Sequence, residues 1–196
     1  MENLAYKLEE YQDIYQDERP TELLDGIIFA MSSPGTNHVI AGVNIIKILG
    51  NYLAGKGCKL FYDHDLHLTK RDRVRPDVMV VCRQDIIKGN GIHGAPDLVV
   101  EILSRSTKKR DRGYKLGLYE RCGIREYWIV DTRSRAIEVY LLIEGKLTLD
   151  GAYEVYFDHE LEYMEEEERA EIPYEFKTSL FDDLVIKLED IFQDMI

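Results

Sequence analysis

The sequence predicts an α/β protein with a mixed central sheet flanked by helices, and three observations lead to this fold class. Short β-branched apolar runs at 77–82 and 97–103 have the composition of strands buried on both faces of a sheet. Segments with helical spacing, 36–54 and 107–122, alternate with such strands. No GxGxxG or GxxxxGK[ST] motif is present, so the order of elements does not indicate a doubly wound nucleotide-binding fold.

Three elements are expected before the first central strand. Residues 4–17 carry apolar side chains at helical spacing and predict a short amphipathic helix. Asp25-Gly26 predicts a hairpin turn that leads into a strand. Thr36 is expected to cap a helix that continues to about residue 54. The side chains on the buried face of that helix would be Val39, Val43, Ile46, and Leu49 or Gly50.

The remaining elements follow the same patterns. Residues 59–68 alternate well enough to predict one strand before the central pair. After the central pair, a helix from Thr107 to Cys122 is expected to end at Gly123. The later expected elements are strands at 126–131, 136–143 and 147–157, and a strand followed by a terminal helix within 180–192.

Length and composition predict one domain over residues 1–196, because a chain of this length can bury one full core. No apolar run is long enough to span a bilayer, and the first ten residues lack the apolar segment of a signal peptide, so a cytoplasmic location without a membrane partner is expected. Three cysteines without a CxxC pair predict reduced, buried thiols rather than a disulfide framework or a zinc site.

The net charge of −12 is unevenly distributed along the chain. Residues 160–171 carry seven glutamates and one arginine, whereas 70–75 (KRDRVR) and 102–135 are basic. A polyanion such as nucleic acid is bound by neutralising its phosphates, so segregated charge keeps such a partner open. An equally good interpretation is a solvated helix face together with an acidic surface loop.

Two carboxylates occupy positions where burial makes a charge costly. Asp77 opens one central strand, and Glu101 lies inside the other. Such groups need a cation or a dense set of hydrogen bonds, and a pair of carboxylates completed by water and a backbone carbonyl suits Mg²⁺ or Mn²⁺. The alternative is an ion pair with an arginine or a strand end that reaches solvent. The pair together favours the metal.

The combination and order of several segments resemble the Uma-two family of restriction endonucleases, a branch of the PD-(D/E)xK nuclease superfamily. The resemblance extends from about residue 22 to residue 192 and implies a restriction-endonuclease-like fold. The segments that carry it are ELLDG at 22–26, MSSP at 31–34 with His38, RPDV at 75–78, PDLVVEILS at 96–104, Lys115, Tyr119, and GIREYWIVD at 123–131.

The resemblance also implies roles for individual residues. Asp77 would be the first metal-binding aspartate, Glu101 the second acid, and Glu22 a supporting acid. The chain departs from the pattern at the lysine, because Leu103 stands two positions after Glu101.

Lys115 is the candidate replacement for that lysine. It shares a helix face with Lys108 and Asp111, and Asp111 is expected at the rim of the site. The alternative is an ordinary surface pair between Asp111 and Lys115.

The histidines are weaker candidates for the site. His64 and His67 are three residues apart on a predicted strand, point to opposite faces and make a poor metal pair. His38 matches a position of the family and is expected at the rim of the site. A hydrogen-bonded structural histidine is an equally good interpretation.

These residues predict a Mg²⁺-dependent endonuclease that hydrolyses phosphodiester bonds in DNA, with a homodimer expected from the resemblance alone. A competing hypothesis is a nuclease-like fold that binds nucleic acid or protein without cutting, which Leu103 and the net acidity favour. A hydrolase that uses the same metal on a small molecule is a third.

Overall fold

A computed structural model describes residues 5–7, 19–104 and 107–196 of the chain. The strands are β1 (Ala5–Lys7), β2 (Thr21–Leu24), β3 (Ile27–Ala30), β4 (Lys59–Tyr62), β5 (Leu66–His67), β6 (Arg73–Val74), β7 (Val78–Val81), β8 (Ile87–Lys88), β9 (Gly91–His93), β10 (Leu98–Ile102), β11 (Glu126–Asp131), β12 (Ala136–Ile143), β13 (Lys146–Glu154), β14 (Glu175–Lys177) and β15 (Val185–Lys187). The helices are α1 (Thr36–Leu53), a 3-10 turn (Gln84–Ile86), α2 (Lys108–Arg110), a π-helical segment (Asp111–Lys115), α3 (Leu116–Cys122), α4 (Asp158–Leu161), α5 (Glu166–Ala170) and α6 (Leu188–Phe192).

The central sheet has the strand order β13-β12-β11-β10-β7-β4. Its strands pair antiparallel except β10 and β11, which run parallel. This arrangement confirms the predicted fold class, a mixed sheet flanked by helices. A second sheet has the order β1-β3-β2-β6-β5-β9-β8, and β14 pairs with β15.

The two faces of the central sheet carry two separate apolar clusters. Alternate residues of one strand divide between them, as the period of a strand requires, so that Val78 and Val80 face α1 and α6 while Met79 and Val81 face the opposite side. Strands β7 and β10 are buried along their whole length, as predicted for central strands. The second cluster includes Tyr119, which places the helix that follows β10 over that face.

The buried face of α1 differs from the prediction. Val39 and Val43 are 39% and 43% exposed, while Ala41, Ile45, Leu49 and Leu53 form the buried stripe. The reason is Asn44, which is buried because its side-chain amide donates to the backbone carbonyls of Ile191 and Gln193. Because Asn44 belongs to the buried face, the face that packs on the protein is not the one that the apolar residues alone predict. The residue at the N-cap position is Gly35, and Thr36 begins the helix.

The segment before β4 also shows one confirmed and one corrected element. Asp25 and Gly26 have φ of 49° and 75°, the two positive values that a type I′ hairpin requires, and β2 and β3 pair across them. Ala5–Lys7 is a strand paired with β3 rather than part of the predicted helix. The rest of that predicted helix, residues 4 and 8–17, lies outside the described residues.

The single strand predicted over 59–68 is two strands in different sheets. Strand β4 pairs with β7 in the central sheet, and β5 pairs with β6 and β9 in the second sheet. Asp63 lies between them with a φ of 43°, which breaks a continuous strand. The chain therefore passes from one sheet to the other next to Asp77.

The prediction of three reduced cysteines is wrong for two of them. The antiparallel register sets Lys59 opposite Val81, so Cys58 and Cys82 are neighbours at the ends of β4 and β7 and form a disulfide. Cys122 is free and partly buried, and its pKa is raised by that burial. Sequence separation gave no sign of the pairing, which depends on strand register.

The acidic stretch lies on the surface. Helix α5 carries exposed glutamates and a capping box between Glu165 and Glu168. The glutamates of this stretch are therefore solvent-exposed, as the interpretation of an acidic surface segment expects. Among the described residues, no helix has the length and apolar composition that a membrane crossing requires.

Asp72 connects the β2-β3 hairpin with the π-helical segment. Its carboxylate accepts hydrogen bonds from the backbone N–H of Asp25 and the hydroxyls of Thr69 and Tyr114, at 2.9, 2.6 and 2.6 Å. Burial alone would raise the pKa of Asp72, but these hydrogen bonds lower it, and the pKa of Tyr114 rises to about 12 through burial and the same contact.

We expect Asp72→Asn to lower the free energy of unfolding by about 1–3 kcal/mol at pH 7, because charged acceptors make the stronger hydrogen bonds. The pKa of the folded carboxyl is lowered, so the difference should be complete above about pH 4 and should vanish as the pH falls through that pKa. Urea unfolding of both proteins between pH 2 and pH 7 measures it. A difference that does not depend on pH would contradict this account.

Candidate active site

Strands β7 and β10 bring Asp77 and Glu101 to one cavity of about 280 Å³. Val78 pairs with Val100, so the residue before β7 lies beside the end of β10 that carries Glu101. The Asp77 Oδ2 atom accepts the backbone N–H of Ile102 at 2.6 Å, which fixes the carboxylate against that strand. The two acids are thus on adjacent strands and line the same cavity.

The Lys115 side chain lies among three acids, Glu101, Glu22 and Asp111. Its Nζ is 2.9 Å from Glu101 Oε1, 2.8 Å from Glu22 Oε1 and 3.5 Å from Asp111 Oδ1. Lys115 is 2% exposed, so the alternative of an ordinary surface pair with Asp111 is wrong. Residues Asp111–Lys115 form the π-helical segment, a wider turn that is frequent at functional sites and here carries both buried groups.

Tyr119 completes the contacts of Glu101. Its hydroxyl donates to Glu101 Oε1 at 2.5 Å, and both residues are buried. Lys115 donates to the same oxygen, so neither of these two hydrogen bonds occupies Oε2. In the sequence only the family resemblance marks Tyr119, because a tyrosine on the apolar face of a helix is usually part of the hydrophobic core.

Burial and crowding shift the pKa values of this group. Desolvation raises the pKa of Glu101 well above its usual value, and Asp111, Asp77 and Glu22 add to the rise against the opposing effect of Lys115. The pKa of Asp111 is also raised, first by desolvation. Burial opposes the charge of Lys115, but its three carboxylate neighbours outweigh burial and raise its pKa well above the usual value. Lys115 is therefore the ammonium that holds the acids together.

His38 lines the same cavity. Its Nε2 is 2.9 Å from Asp77 Oδ1. Desolvation lowers the pKa of His38, but the hydrogen bond to Asp77 and the charges of Asp77, Asp111 and Asp63 outweigh it, and the net shift is upward. Its Nδ1 is buried and has no hydrogen-bond partner among the described residues. A hydrogen-bonding role toward Asp77 fits this geometry.

Several other candidates are not brought to the cavity. Lys108 is largely exposed and pairs with Asp131 at 3.0 Å, so it does not share the face of Asp111 and Lys115. The prediction assumed a continuous α-helix, and the π-helical segment that begins at Asp111 turns the later residues to a different face. His67 stacks on His93 and His64 on Phe61, away from the lining of the cavity. Leu103 stands where the family resemblance places the lysine. Its side chain packs into the second apolar cluster, the one that includes Tyr119.

The three arginines of the basic stretch at 70–75 form ion pairs within the protein. Arg73 pairs with Asp65 at 3.0 Å, and Arg75 pairs with Asp63 at 3.0 Å and with Asp65 at 3.3 Å. Arg71 pairs with Asp25 at 2.9 Å. These arginines hold the turn between the two sheets in place, and the stretch gives little support to a phosphate-binding groove on that side.

The donor set of the cavity fits a hard divalent cation. Among the described residues no three side chains of His, Cys, Asp or Glu form a metal-binding group. Mg²⁺ usually takes only one or two carboxylates and keeps several waters, a demand that Asp77 and Glu101 meet. Glu22, Glu101 and Asp111 surround the single ammonium of Lys115, so carboxylates outnumber ammonium groups in the described part of the site. An added cation would offset that excess.

Comparison with known proteins assigns the chain to a family. A family model described as "Putative restriction endonuclease" (Uma2) matches residues 8–168. The chain belongs to the Uma2 family. This confirms the resemblance found from the sequence motifs.

Two similar proteins are consistent with the Uma2 assignment. An uncharacterized protein of Synechocystis sp. is 33% identical over 137 residues, which are 67% of this chain and 72% of that protein. A crystal structure described as that of "a putative nuclease belonging to DUF820" from Anabaena variabilis has a TM-score of 0.69 and 16% identity, and the match covers 95% of this chain and 97% of that one. At this identity the second similarity shows a shared fold.

Sequence reasoning missed two cationic residues in the lining of this Uma2 cavity, Arg19 and Arg110. The guanidinium carbon of Arg110 is 4.9 Å from the centroid of the Phe29 ring. The basic composition of 102–135 was the available signal, but composition cannot tell which of ten basic residues points inward.

Proposed function

We propose that this Uma2 protein is a Mg²⁺-dependent endonuclease that hydrolyses phosphodiester bonds in DNA, with its active site at Asp77, Glu101, Lys115 and Glu22. The observation that carries the proposal is the buried Lys115 ammonium within 3 Å of both Glu22 and Glu101. A lysine, two acids of adjacent strands and a supporting acid are the parts of the superfamily's site, and here the lysine comes from a helix.

Asp77 and Glu101 would hold the metal. Asp77 is fixed by Ile102 and His38, and Glu101 by Lys115 and Tyr119, so neither carboxylate must reorganise to bind. When bound, Mg²⁺ lowers the pKa of a coordinated water and offsets the charge that develops on the phosphoryl oxygens.

Lys115, which comes from the helical stretch, would act on the phosphate that is hydrolysed. Its hydrogen bonds to Glu22 and Glu101 keep the ammonium charged and fixed in position. In hydrolysis the oxygen of a water forms a bond to phosphorus and its proton passes to solvent, the bond to the leaving oxygen breaks and that oxygen takes up a proton from solvent, and negative charge grows on the phosphoryl oxygens in the transition state. A fixed ammonium next to that charge stabilises the transition state without reorganisation.

The first test is the response of the melting temperature to Mn²⁺ and Mg²⁺. A cation that binds only the folded state at about 100 times its Kd adds about 2.7 kcal/mol, which for a domain of this size is about 5–10 °C. We expect that rise for the wild type and its loss in Asp77→Asn and Glu101→Gln. Glu167→Gln, an exposed acid on α5, serves as the control and should respond like the wild type.

The second test is nicking of supercoiled plasmid DNA in Mg²⁺. We expect conversion to open circles by the wild type and by Glu167→Gln, and none by Asp77→Asn or in EDTA. Equal responses of wild type and Asp77→Asn to the cation would contradict the proposed site, and a protein that binds the cation without nicking would contradict the proposed activity.

A non-catalytic binding module is the second candidate, and one observation favours it. Lys115 is buried between Glu22 and Glu101, which is also the geometry of an ion pair that only supports the fold. Such a module would bind nucleic acid or protein and would leave plasmid DNA intact at every metal concentration.

A further inference from the structure

We infer that Arg110 is the residue that binds a phosphate group of the substrate beside the Asp77 and Glu101 carboxylates. The inference rests on the proposed function, since it names the group that recognises the substrate at that same cavity. It starts from an unpaired guanidinium. Arg110 lines the cavity, and its Nε and Nη1 atoms are buried without a hydrogen-bond partner among the described residues.

Buried guanidinium donors are rarely left unpaired. A guanidinium has five N–H donors and cannot lose its proton, so an unpaired one carries the cost of desolvation without compensation. Two neighbouring basic residues have carboxylate partners. Lys108 pairs with Asp131, and Arg112 pairs with Glu138 at 2.6 Å. Arg110 makes no such ion pair within the described parts of the chain, although the cavity contains several carboxylates.

The ring of Phe29 explains how the guanidinium is held without a carboxylate. The Arg110 guanidinium carbon lies 4.9 Å from the ring centroid, a distance at which a cation is attracted by the aromatic face. The contact with the aromatic ring uses no N–H donor, so Nε and Nη1 stay available for another ligand. That ligand must be an acceptor, and an anion is the best match because it also offsets the guanidinium charge.

A phosphate is the anion that fits this place. The cavity also contains Asp77 and Glu101, so an anion bound there would be next to the groups proposed to act on a phosphodiester. Arg110 offers a positive charge and two unpaired N–H donors, Nε and Nη1, of which either can donate to a phosphate oxygen, whereas Lys115 has its charge already balanced by Glu22 and Glu101. Arg110 would therefore contribute to binding the substrate, and Lys115 to the chemical step.

The test measures binding of a fluorescein-labelled octathymidylate by anisotropy in EDTA, where no cleavage occurs. Arg110→Met should weaken binding about 10- to 100-fold, as expected for loss of a charge-assisted pair of hydrogen bonds. Lys109→Met is the matched control, because it removes the same charge from an exposed neighbour. It should change the affinity less than about threefold. Arg110→Lys keeps the charge but has its donors on a single nitrogen, and should lie between wild type and Arg110→Met.

A second set of probes locates the contact. Octathymidylates that carry one uncharged methylphosphonate at a single position should bind the wild type more weakly at one position than at the rest. In Arg110→Met the effect at that position should vanish while the others persist, because the two changes remove the same interaction. In Arg110→Lys, which disturbs the packing on Phe29 least, the effect should be reduced.

The outcomes separate this inference from the proposed function. Equal binding by wild type and Arg110→Met, no binding by the wild type at low salt, or an unchanged methylphosphonate pattern would overturn the role of Arg110. Cation-dependent stabilisation and nicking by the wild type would in those cases leave the proposed nuclease intact. Conversely, an Arg110-dependent pattern in a protein that never nicks DNA would support the phosphate site and reject the catalytic proposal.

Discussion

Lys115→Met is expected to lower the free energy of unfolding by about 3–5 kcal/mol at pH 7, the cost of removing one partner from a buried ion pair. Methionine nearly fills the same space, so the loss reports the charge rather than a cavity. Glu22 and Glu101 would then face each other, both 4% exposed or less, without the ammonium that lies 2.8 and 2.9 Å from them. Urea denaturation measures the loss.

The same variant should lose nicking activity by a larger factor than it loses oligonucleotide binding, because a group that acts mainly in the transition state affects binding little. Lys109→Met, exposed on the same helix, is the control for both measurements. A double variant, Lys115→Met with Glu22→Gln, should regain part of the stability because one carboxylate no longer needs a cation. A Lys115→Met protein with wild-type stability and wild-type nicking would contradict both the structural and the catalytic role of Lys115.

The second large effect is expected from Glu126→Leu, which should lower the free energy of unfolding by about 3 kcal/mol or more. Glu126 lies in β11 and is fully buried. It accepts hydrogen bonds from the indole of Trp128 at 2.6 Å, from the hydroxyl of Thr178 at 3.0 Å, and from the backbone and hydroxyl of Ser179 at 2.8 and 2.6 Å. Leucine removes the acceptor and leaves these buried donors without a partner.

The consequence should be local before it is global. Thr178 and Ser179 precede β15 and α6, so the loss should increase amide hydrogen exchange across that terminal region at low denaturant. Trp128 is the only tryptophan of the chain, and its fluorescence reports directly on the lost hydrogen bond. Glu175→Leu, at an exposed position of β14, provides the matched control. Equal stability of the two leucine variants would contradict the role of Glu126.

The pattern of side chains was sufficient for the central strands because burial on both faces leaves a continuous apolar run. It was also sufficient for the hairpin at Asp25-Gly26, since few residues adopt two successive positive φ values. It failed where a polar side chain is buried for its hydrogen bonds, as Asn44 is in α1. It failed again at Cys58 and Cys82, because their pairing depends on the register of β4 against β7.

The candidate site was predictable in part for a related reason. Asp77 and Glu101 were found because a carboxylate in an apolar strand is conspicuous. Lys115 was found through the resemblance to the family, since helical spacing alone favoured a surface pair. The position of Arg110 in the cavity could not be predicted, because its orientation depends on Phe29 of the second sheet and on the π-helical segment that begins at Asp111.

The origin of Lys115 in a helix and of Glu101 in a strand has a consequence for how the site can be lost. Pairing of β7 with β10 brings Asp77 and Glu101 together without their ammonium. The stretch 108–122 supplies the Lys115 ammonium, the Tyr119 hydroxyl and, one residue before the π-helical segment, Arg110. Local undocking of that one stretch would therefore remove all three groups at once while the central sheet stays paired.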